Sequence, residues 1–210
     1  YERSAADEDG SKLNVCADNI AEIWNDTHDT KATQIVFCDL STPKKAFEDY
    51  VYGEDFDVYN DLKYKLVQRG IPPEQVAFIH DANSDLQKQA LFDKVNAGTV
   101  RVLIGSTEKC GAGTNVQERL IALHHLDTPY RPSDMQQREG RIIRQGNTNK
   151  QIKIFTYVKE RTFDSYSYQI LENKQRFISQ IDRGDLTVRE ADDIDETTLT
   201  YAEIKAITAA

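Results

Sequence analysis

The sequence predicts an α/β protein with a mostly parallel β-sheet and helices on both of its sides. Short runs of aliphatic and β-branched residues alternate along the chain with longer segments of helical periodicity. The short runs are apolar almost throughout, which is typical of strands buried on both faces, and their alternation with helices favours βαβ units. Parallel sheets gather ligands beyond the carboxyl ends of their strands, so we expect the chemistry in the loops there.

Each element has its own signal. Leu13, Ala17, Ile20 and Trp24 recur at helical spacing, and Ser84 is a plausible N-cap for the third helix. The predicted helices are Lys12–Thr30, Val58–Arg69, Leu86–Val95 and Phe163–Ile181. The predicted strands are Gln34–Cys38, Val76–His80, Arg101–Gly105, Leu120–His124 and Lys153–Val158.

Composition narrows the class of protein. The chain has 210 residues, of which 39% are hydrophobic and 29% charged, as in a folded domain. No run approaches the ~18 apolar residues of a membrane span, and no signal peptide is recognisable, so we expect a cytoplasmic protein without membrane contact. Cys16, Cys38 and Cys110 have neither disulfide nor zinc spacing and are interpreted as buried thiols. The chain begins with Tyr1 rather than Met, and we interpret it as a piece of a longer polypeptide.

The net charge of −9 argues against a nucleic-acid partner, but it is unevenly distributed. Residues 98–161 contain 11 basic and 6 acidic residues, a local charge of +5. This segment is therefore the candidate polyanion site, with an ordinary solvated surface as the alternative.

Residues 131–146 are the most informative part of this basic segment. Ser133 and Gln136 form a capping box, which predicts that a helix starts there and ends at Gly146.

One face of that helix concentrates anion-binding groups. Gln137, Gly140, Arg141 and Arg144 fall at i, i+3, i+4 and i+7, and the guanidinium fork suits phosphate oxygens. Arg138 lies off this face, so we expect it to matter much less. A basic helix surface in water is the alternative.

A second informative stretch runs from Val102 to Asn115, where a strand enters a glycine-rich loop with Ser106 and Thr107. Such loops expose backbone N–H groups to phosphate, although a plain tight turn has the same composition. The sequence G-x-x-x-x-G-K-[ST] occurs nowhere, so this chain alone lacks a P-loop.

These segments resemble a known family. Thr33–Cys38, Val102–Asn115, Leu126–Pro132 and Gln137–Gly146 resemble motifs IV, V and VI in the second RecA-like lobe of superfamily 2 helicases. The loop and the Asp-x-x-Tyr-x-Pro segment look most like the Swi/Snf-type branch. Down to Phe163–Ile181, the chain looks like the helicase part of large helicase-methylase proteins of bacterial conjugative elements and phages.

The resemblance implies a fold and a domain division. The fold would be a RecA-like three-layer α/β fold with a mostly parallel sheet and a C-terminal helical extension. Residues 1–160 would form the lobe with its lead-in helix, and residues 161–210 the long helix, an acidic connector at Asp182–Thr198 and a short helix at Tyr201–Ile207.

The resemblance also implies roles. Arg141 and Arg144 would be arginine fingers toward ATP and Mg²⁺ held mainly by a first lobe elsewhere in the polypeptide, with Gln137 beside them. The implied nucleotide-side residues are Gly111, Gly113 and Asn115. The implied contacts to nucleic-acid phosphate, DNA with RNA also open, are Ser106, Thr107 and Lys109, although Lys109 departs from the small or apolar residue expected there. We expect the isolated chain to be a monomer.

Other chemistries find little support. His124 and His125 are adjacent in a predicted strand and therefore point to opposite faces, which favours core histidines over a metal site. No nucleophile elbow and no amino-methyltransferase motif are present, so any methylase would lie elsewhere in the parent protein.

Two functional hypotheses remain. The first is half of a nucleic-acid-dependent ATPase motor, and the second is a non-catalytic nucleic-acid- or protein-binding module that keeps the RecA-like scaffold. The fold does not separate them. The presence of both Arg141 and Arg144 on the face of Gln137 favours the motor.

Overall fold

The computed structural model describes residues 8–110, 115–140, 142, 145–159 and 163–182, with side chains of the last helix to residue 179. It divides the chain into two compact units. The first comprises Tyr1–Asp127 with Gln137–Tyr157, and the second Thr128–Gln136 with Val158–Ala210. No helix among the described residues is long and apolar enough to cross a membrane.

The order of elements confirms the predicted alternation of strands and helices. The helices are α1 (Lys12–Asp26), α2 (Val58–Gln68), α3 (Asp85–Asn96), α4 (Pro132–Glu139) and α5 (Phe163–Asp182). The strands are β1 (Thr33–Phe37), β2 (Val76–Phe78), β3 (Val102–Gly105), β4 (Leu120–His125) and β5 (Lys153–Thr156).

The five strands form one parallel sheet in the order β2-β3-β1-β4-β5. Its register places Phe37 of β1 beside Gly105 of β3 and His125 of β4, so three chain segments leave the sheet at one edge. We call this the carboxyl edge, and the opposite end of the strands the amino edge. The predicted RecA-like α/β fold with a parallel sheet is confirmed.

The core has two layers, one on each face of the sheet. Alternate residues of β1 show the division, because Val36 packs with α1 and α2 whereas Ile35 and Phe37 pack with α3. Burial on both faces explains why β1 reads as a continuous apolar run. The expectation that every strand is buried on both faces is wrong for β5, whose Ile154 is 41% exposed, because β5 is an edge strand.

The helix ends show where local signals suffice. Ser84 caps α3 as predicted, since its Oγ accepts a hydrogen bond from the Gln87 N–H. The capping box at Ser133 is wrong. Helix α4 starts at Pro132, and the carbonyl of Arg131 accepts from the N–H groups of Asp134 and Met135.

Helix α4 is also shorter than predicted. It ends at Glu139 instead of reaching Gly146, which lies in a turn with φ of +93°. This left-handed conformation favours glycine at position 146, but Gly146 does not end α4.

In the second unit, α5 confirms the predicted long helix almost to the residue. Lys174 Nζ lies 4.1 Å from the centroid of the Tyr130 ring, and Arg176 pairs with Glu172 one turn earlier at 3.6 Å. The predicted acidic connector and terminal helix lie outside the described residues. The predicted domain boundary at residue 160 stays a prediction.

Candidate nucleotide and nucleic-acid site

Three polar residues follow three neighbouring strands of the sheet at its carboxyl edge. Asp39 lies just beyond β1, Thr107 just beyond β3 and Asp127 just beyond β4. Because these strands are adjacent and parallel, their side chains meet in one place. Asp127 is fully buried there, whereas the Asp39 side chain keeps 30% exposure.

Arg138 of α4 contacts all three residues and is among the largest fully buried side chains of the described chain. Its Nε donates to Thr107 Oγ1 at 2.6 Å, and its Nη2 donates to Asp39 Oδ2 at 2.6 Å and Asp127 Oδ1 at 3.2 Å. Its Nη1 donates to the Asp127 carbonyl at 2.9 Å. The guanidinium also lies over the ring of Phe37, 5.0 Å from its centroid.

The two carboxylates tie further backbone into the same group. Asp127 Oδ2 accepts from the N–H groups of Asp39 and Leu40. Asp39 in turn accepts the Thr107 N–H on Oδ1 at 2.6 Å and the Thr107 hydroxyl on Oδ2 at 2.7 Å. We call Asp39, Thr107, Asp127 and Arg138 the buried cluster.

Electrostatics decide the charge states in the buried cluster. Burial raises the pKa of the Asp127 carboxyl, and the Arg138 charge opposes that rise. A buried guanidinium needs compensating carboxylates, and Arg138 has two of them. Its charge is therefore neutralised internally and does not face a ligand.

His125 completes the surroundings of Arg138. Its ring stacks on Phe37, and its Nδ1 lies 3.4 Å from Arg138 Nη1, which makes Nδ1 the acceptor and leaves the proton on Nε2. Nε2 is buried without a hydrogen bond and lies 3.9 Å from Glu139 Oε1. Burial, then the Arg138 charge, lowers the pKa of His125 to about 3, so it is neutral.

The loop after β3 presents the predicted phosphate contacts. Gly105 allows the turn, because a Cβ there would lie 2.6 Å from Cγ2 of Ile79. Ser106 Oγ accepts the Lys109 N–H at 3.2 Å, and the Cys110 N–H bonds to the Ser106 carbonyl. Ser106 is partly exposed and Lys109 is exposed. The carboxyl edge therefore offers a hydroxyl and an ammonium group together.

Thr107 differs from its neighbours and from the sequence expectation. It is 8% exposed, and both its N–H and its hydroxyl are used by Asp39 and Arg138. In this conformation it cannot also donate to a phosphate, because a hydroxyl has one proton and a backbone amide has one.

The remaining predicted residues divide into described and undescribed ones. Gln137 is exposed on α4, next to the inward-facing Arg138. Asn115 is exposed, and its carbonyl accepts from the Asn96 side chain at the end of α3. The residues Arg141, Arg144, Gly111 and Gly113 lie outside the described part of the chain, so their roles stay predictions.

The basic segment is not one continuous surface. Arg101 at the start of β3 donates to the carbonyls of Ala32 and Thr27, and Arg119 before β4 donates to those of Asn96 and Thr30. Both therefore belong to the amino edge of the sheet. The charge excess read from the sequence overstates the cations available at the carboxyl edge.

Sequence reasoning named Asp127 only as part of a motif and did not single out Asp39. One signal could have found both aspartates, because each directly follows a strand and the two strands are adjacent. Burial of Arg138 had no such signal, since the sequence placed it only off the Gln137 face and it was expected to matter less.

The histidine and cysteine interpretations hold among the described residues. His124 is a core residue, with Nε2 donating to Gln34 Oε1 at 2.9 Å and Nδ1 accepting from the Tyr157 hydroxyl at 2.8 Å. No group of three or more potential metal ligands occurs in the described chain. All three cysteines are buried free thiols.

This fold, with its polar loops at one edge and an arginine-bearing helix over them, defines the class of RecA-like lobes. The chain belongs to the helicase conserved C-terminal domain family, whose sequence model matches residues 20–146. That assignment makes it the second lobe of a helicase-type ATPase, consistent with the absence of a P-loop.

Individual relatives cover the chain in part. It is 30% identical over 94 residues to "Defense against restriction protein B" of Escherichia phage P1, a match that spans 45% of this chain and 4% of that protein. Among solved structures it resembles the C-terminal part of the Fun30 ATPase domain, with 16% identity, a TM-score of 0.56 and coverage of 81% of this chain and 47% of that one. The Hef helicase domain of Pyrococcus furiosus shows 18% identity, a TM-score of 0.48 and coverage of 75% and 28%.

Proposed function

We propose that this chain works as the second lobe of an ATP-dependent nucleic-acid translocase, with DNA as its polymer. Arg141 and Arg144 act as arginine fingers on ATP bound to a first lobe in the same polypeptide. Ser106 and Lys109 contact the phosphate backbone of the nucleic acid. The observation that carries the proposal is the family assignment together with the partly exposed Ser106 and the exposed Lys109 in the loop after β3.

The geometry supports a division of labour between two surfaces. Helix α4 presents Gln137 outward and leads in sequence toward Arg141 and Arg144, whereas the loop after β3 presents a hydroxyl and an ammonium group. A hydroxyl and a lysine are typical contacts to phosphate, and such contacts position a duplex or strand without reading its sequence. We therefore expect binding without sequence preference.

ATP and Mg²⁺ need groups that come from the first lobe. Nucleotide phosphates are cradled by a P-loop, and this chain has none. We assign Mg²⁺ to the first lobe together with ATP, as the resemblance to helicase lobes implies. The residues of this chain contribute positive charge to the transferred phosphoryl group, which is the role of an arginine finger.

The finer affiliation is part of the proposal. The phage P1 relative supports a setting in a mobile element. The Swi/Snf-type affiliation rests on the loop after β3 and the Asp-x-x-Tyr-x-Pro segment of the sequence. We propose a Swi/Snf-like helicase part of a large helicase-methylase protein. The methylase would lie outside these 210 residues.

Arg144→Ala in a polypeptide that carries both lobes tests the finger assignment. Nucleic-acid-stimulated ATP turnover should fall by ~10³-fold while ATP affinity is nearly kept, since a finger stabilises charge that develops in the transition state. Arg144→Lys should not restore turnover, because a point charge does not reproduce the planar fork.

The matched control is Arg131→Ala, which removes an exposed arginine just before α4. Arg138, which looked like a surface control in the sequence, is unsuitable because it is buried. Equal losses in Arg144→Ala and Arg131→Ala would contradict the finger role.

The alternative function, a binding module without catalysis, makes an opposite prediction. The isolated 210-residue chain should not hydrolyse ATP under either hypothesis, and it should bind nucleic acid if it is a motor lobe or a nucleic-acid-binding module. If the two-lobed polypeptide also bound nucleic acid without stimulated ATP turnover, the binding module would replace the motor.

A further inference from the structure

The Arg138 side chain is out of reach of a ligand. It nevertheless lies between two regions proposed above to bind ligands, the loop after β3 and the C-terminal end of α4. Its side chain has no solvent exposure. Every nitrogen of its guanidinium donates to a residue at the carboxyl edge of the sheet. A residue whose donors are all satisfied internally acts through its neighbours.

One of those neighbours is the loop after β3. Arg138 Nε reaches the Thr107 hydroxyl at 2.6 Å, and that hydroxyl donates onward to Asp39 Oδ2. Asp39 also holds the Thr107 N–H, so Thr107 is fixed by both its backbone and its side chain. Ser106 and Lys109 flank this fixed point within three residues of sequence.

The other neighbour is α4 itself. Arg138 is its penultimate residue, directly after Gln137, and Arg141 and Arg144 follow three and six residues later in the chain. The Arg138–Asp39 contact spans 99 residues of sequence, so no local interaction can take its place.

We propose that Arg138, joined to Asp39 directly and through the Thr107 hydroxyl, is a positioning residue that links the loop after β3 to the C-terminal end of α4. Nucleic acid that settles on Ser106 and Lys109 shifts Thr107, and the shift is passed to Arg138 and the end of α4. The arginine face thereby responds to an occupied polymer site. This inference rests on the function proposed above.

The link contains a charged, hydrogen-bonded pair, Arg138 and Asp39, and Arg138 is shielded from water, which suits a rigid connection. Charge-assisted hydrogen bonds are short and about twice as strong as neutral ones, and the two Arg138–Asp39–Thr107 contacts of 2.6–2.7 Å are of this kind. Exposure of the Asp39 side chain to 30% places the connection at the rim, where a ligand on the loop can perturb it.

The test is hydrogen exchange of the 210-residue chain with and without single-stranded oligo-dT at low salt. In the wild type, the nucleic acid should slow exchange both in the loop at 106–110 and at the end of α4, residues 137–140. Asp39→Asn should keep the protection of the loop and weaken that of α4, because the charged bridge is gone and only the direct hydrogen bond from Arg138 to Thr107 remains.

Two further variants separate positioning from mere stability. Thr107→Val removes the bridging hydroxyl with little change of volume and should weaken the α4 response, whereas Thr107→Ser keeps the hydroxyl and should retain it. Asp29→Asn removes an exposed aspartate near the amino edge and should change neither segment. Unfolding by urea, measured for each variant, shows whether the protein is still folded under the exchange conditions.

The outcomes distinguish the inference from the proposed function. Undiminished protection of both segments in Asp39→Asn and in Thr107→Val would overturn the link while leaving the polymer site intact. No protection of the loop in the wild type would overturn the polymer site, and the link with it. In the two-lobed polypeptide, Thr107→Val should lower the ratio of stimulated to unstimulated ATP turnover, and Thr107→Ser should restore it.

Discussion

The two edges of the sheet each bury an arginine, and they use it differently. At the amino edge, Arg101 donates to the carbonyls of Ala32 and Thr27 and to the Thr27 hydroxyl, and no carboxylate of the described residues is in hydrogen-bonding contact with it. At the carboxyl edge, Arg138 bonds to two carboxylates and a hydroxyl from three separate loops. Arg101 therefore satisfies backbone carbonyls that follow the end of α1. Arg138 joins segments that are proposed to bind ligands.

The pKa of Arg101 reflects this difference. Burial lowers it to about 10, and no neighbouring charge opposes the shift. A buried cation without a counterion is tolerated there because its donors are satisfied by carbonyls and its guanidinium lies over the Trp24 ring, 5.3 Å from the centroid. Burial alone therefore does not mark a functional arginine, and the role proposed for Arg138 rests on its carboxylate partners.

The largest expected contrast between the edges is in stability. Arg138→Met should lower the free energy of unfolding by about 3–5 kcal/mol, because it leaves Asp39 and Asp127 uncompensated. Arg101→Met removes hydrogen bonds to neutral groups and should cost about 1–3 kcal/mol. Urea unfolding of the 210-residue chain at neutral pH measures both.

Arg138→Lys keeps a positive charge and gives a second reading if Arg138→Met does not fold. The free energy of unfolding of Arg138→Lys should lie between those of the wild type and Arg138→Met, because an ammonium group cannot reach all the acceptors of the guanidinium. Equal losses in Arg138→Met and Arg101→Met would mean that the aspartates add nothing to the role of Arg138.

The next contrast is in the response to acid. Burial lowers the pKa of both His124 and His125 to about 3, below the usual 6.5. Between these values the unfolded chain binds protons that the folded chain does not, so the free energy of unfolding falls as pH drops below about 6.5. Each histidine should contribute about 1.4 kcal/mol per pH unit in that window.

Urea unfolding from pH 7 to pH 4 measures this slope. His124→Gln should reduce the slope by roughly the contribution of one histidine. His28→Gln, a change at an exposed position near the amino edge, should leave the slope unchanged. A slope that is the same in His124→Gln as in the wild type would show that the strand histidines do not control acid stability.

The smallest expected contrast is in binding of nucleic acid. Lys109→Ala at the carboxyl edge should weaken oligonucleotide binding a few-fold and reduce the salt dependence by about one phosphate contact. Lys94→Ala, at an exposed position where α3 runs down to the amino edge, should change neither quantity. Fluorescence anisotropy titrations over a range of salt concentrations provide both numbers, and equal effects of the two variants would refute the assignment of the polymer to the carboxyl edge.

The sequence by itself predicted nearly all the elements and the parallel sheet. Hydrophobic runs such as Ile35–Phe37 and the cap at Ser84 are local signals, and local signals act over one or two turns or a few strand residues. The motifs at 102–115 and 137–146 likewise indicated the helicase lobe, because each motif consists of residues close together in the sequence.

Only the tertiary structure decided what Arg138 and Thr107 do. From spacing, Arg138 lay off the arginine face and was expected to matter little, and Thr107 was expected to face phosphate. The structure buries both together with Asp39. Asp39 is 99 residues from Arg138 and 68 from Thr107 along the chain, so it reaches them only because β1, β3 and β4 are neighbours in the sheet. A side chain's environment is set by strand order, and strand order is a property of the whole fold that no local spacing contains.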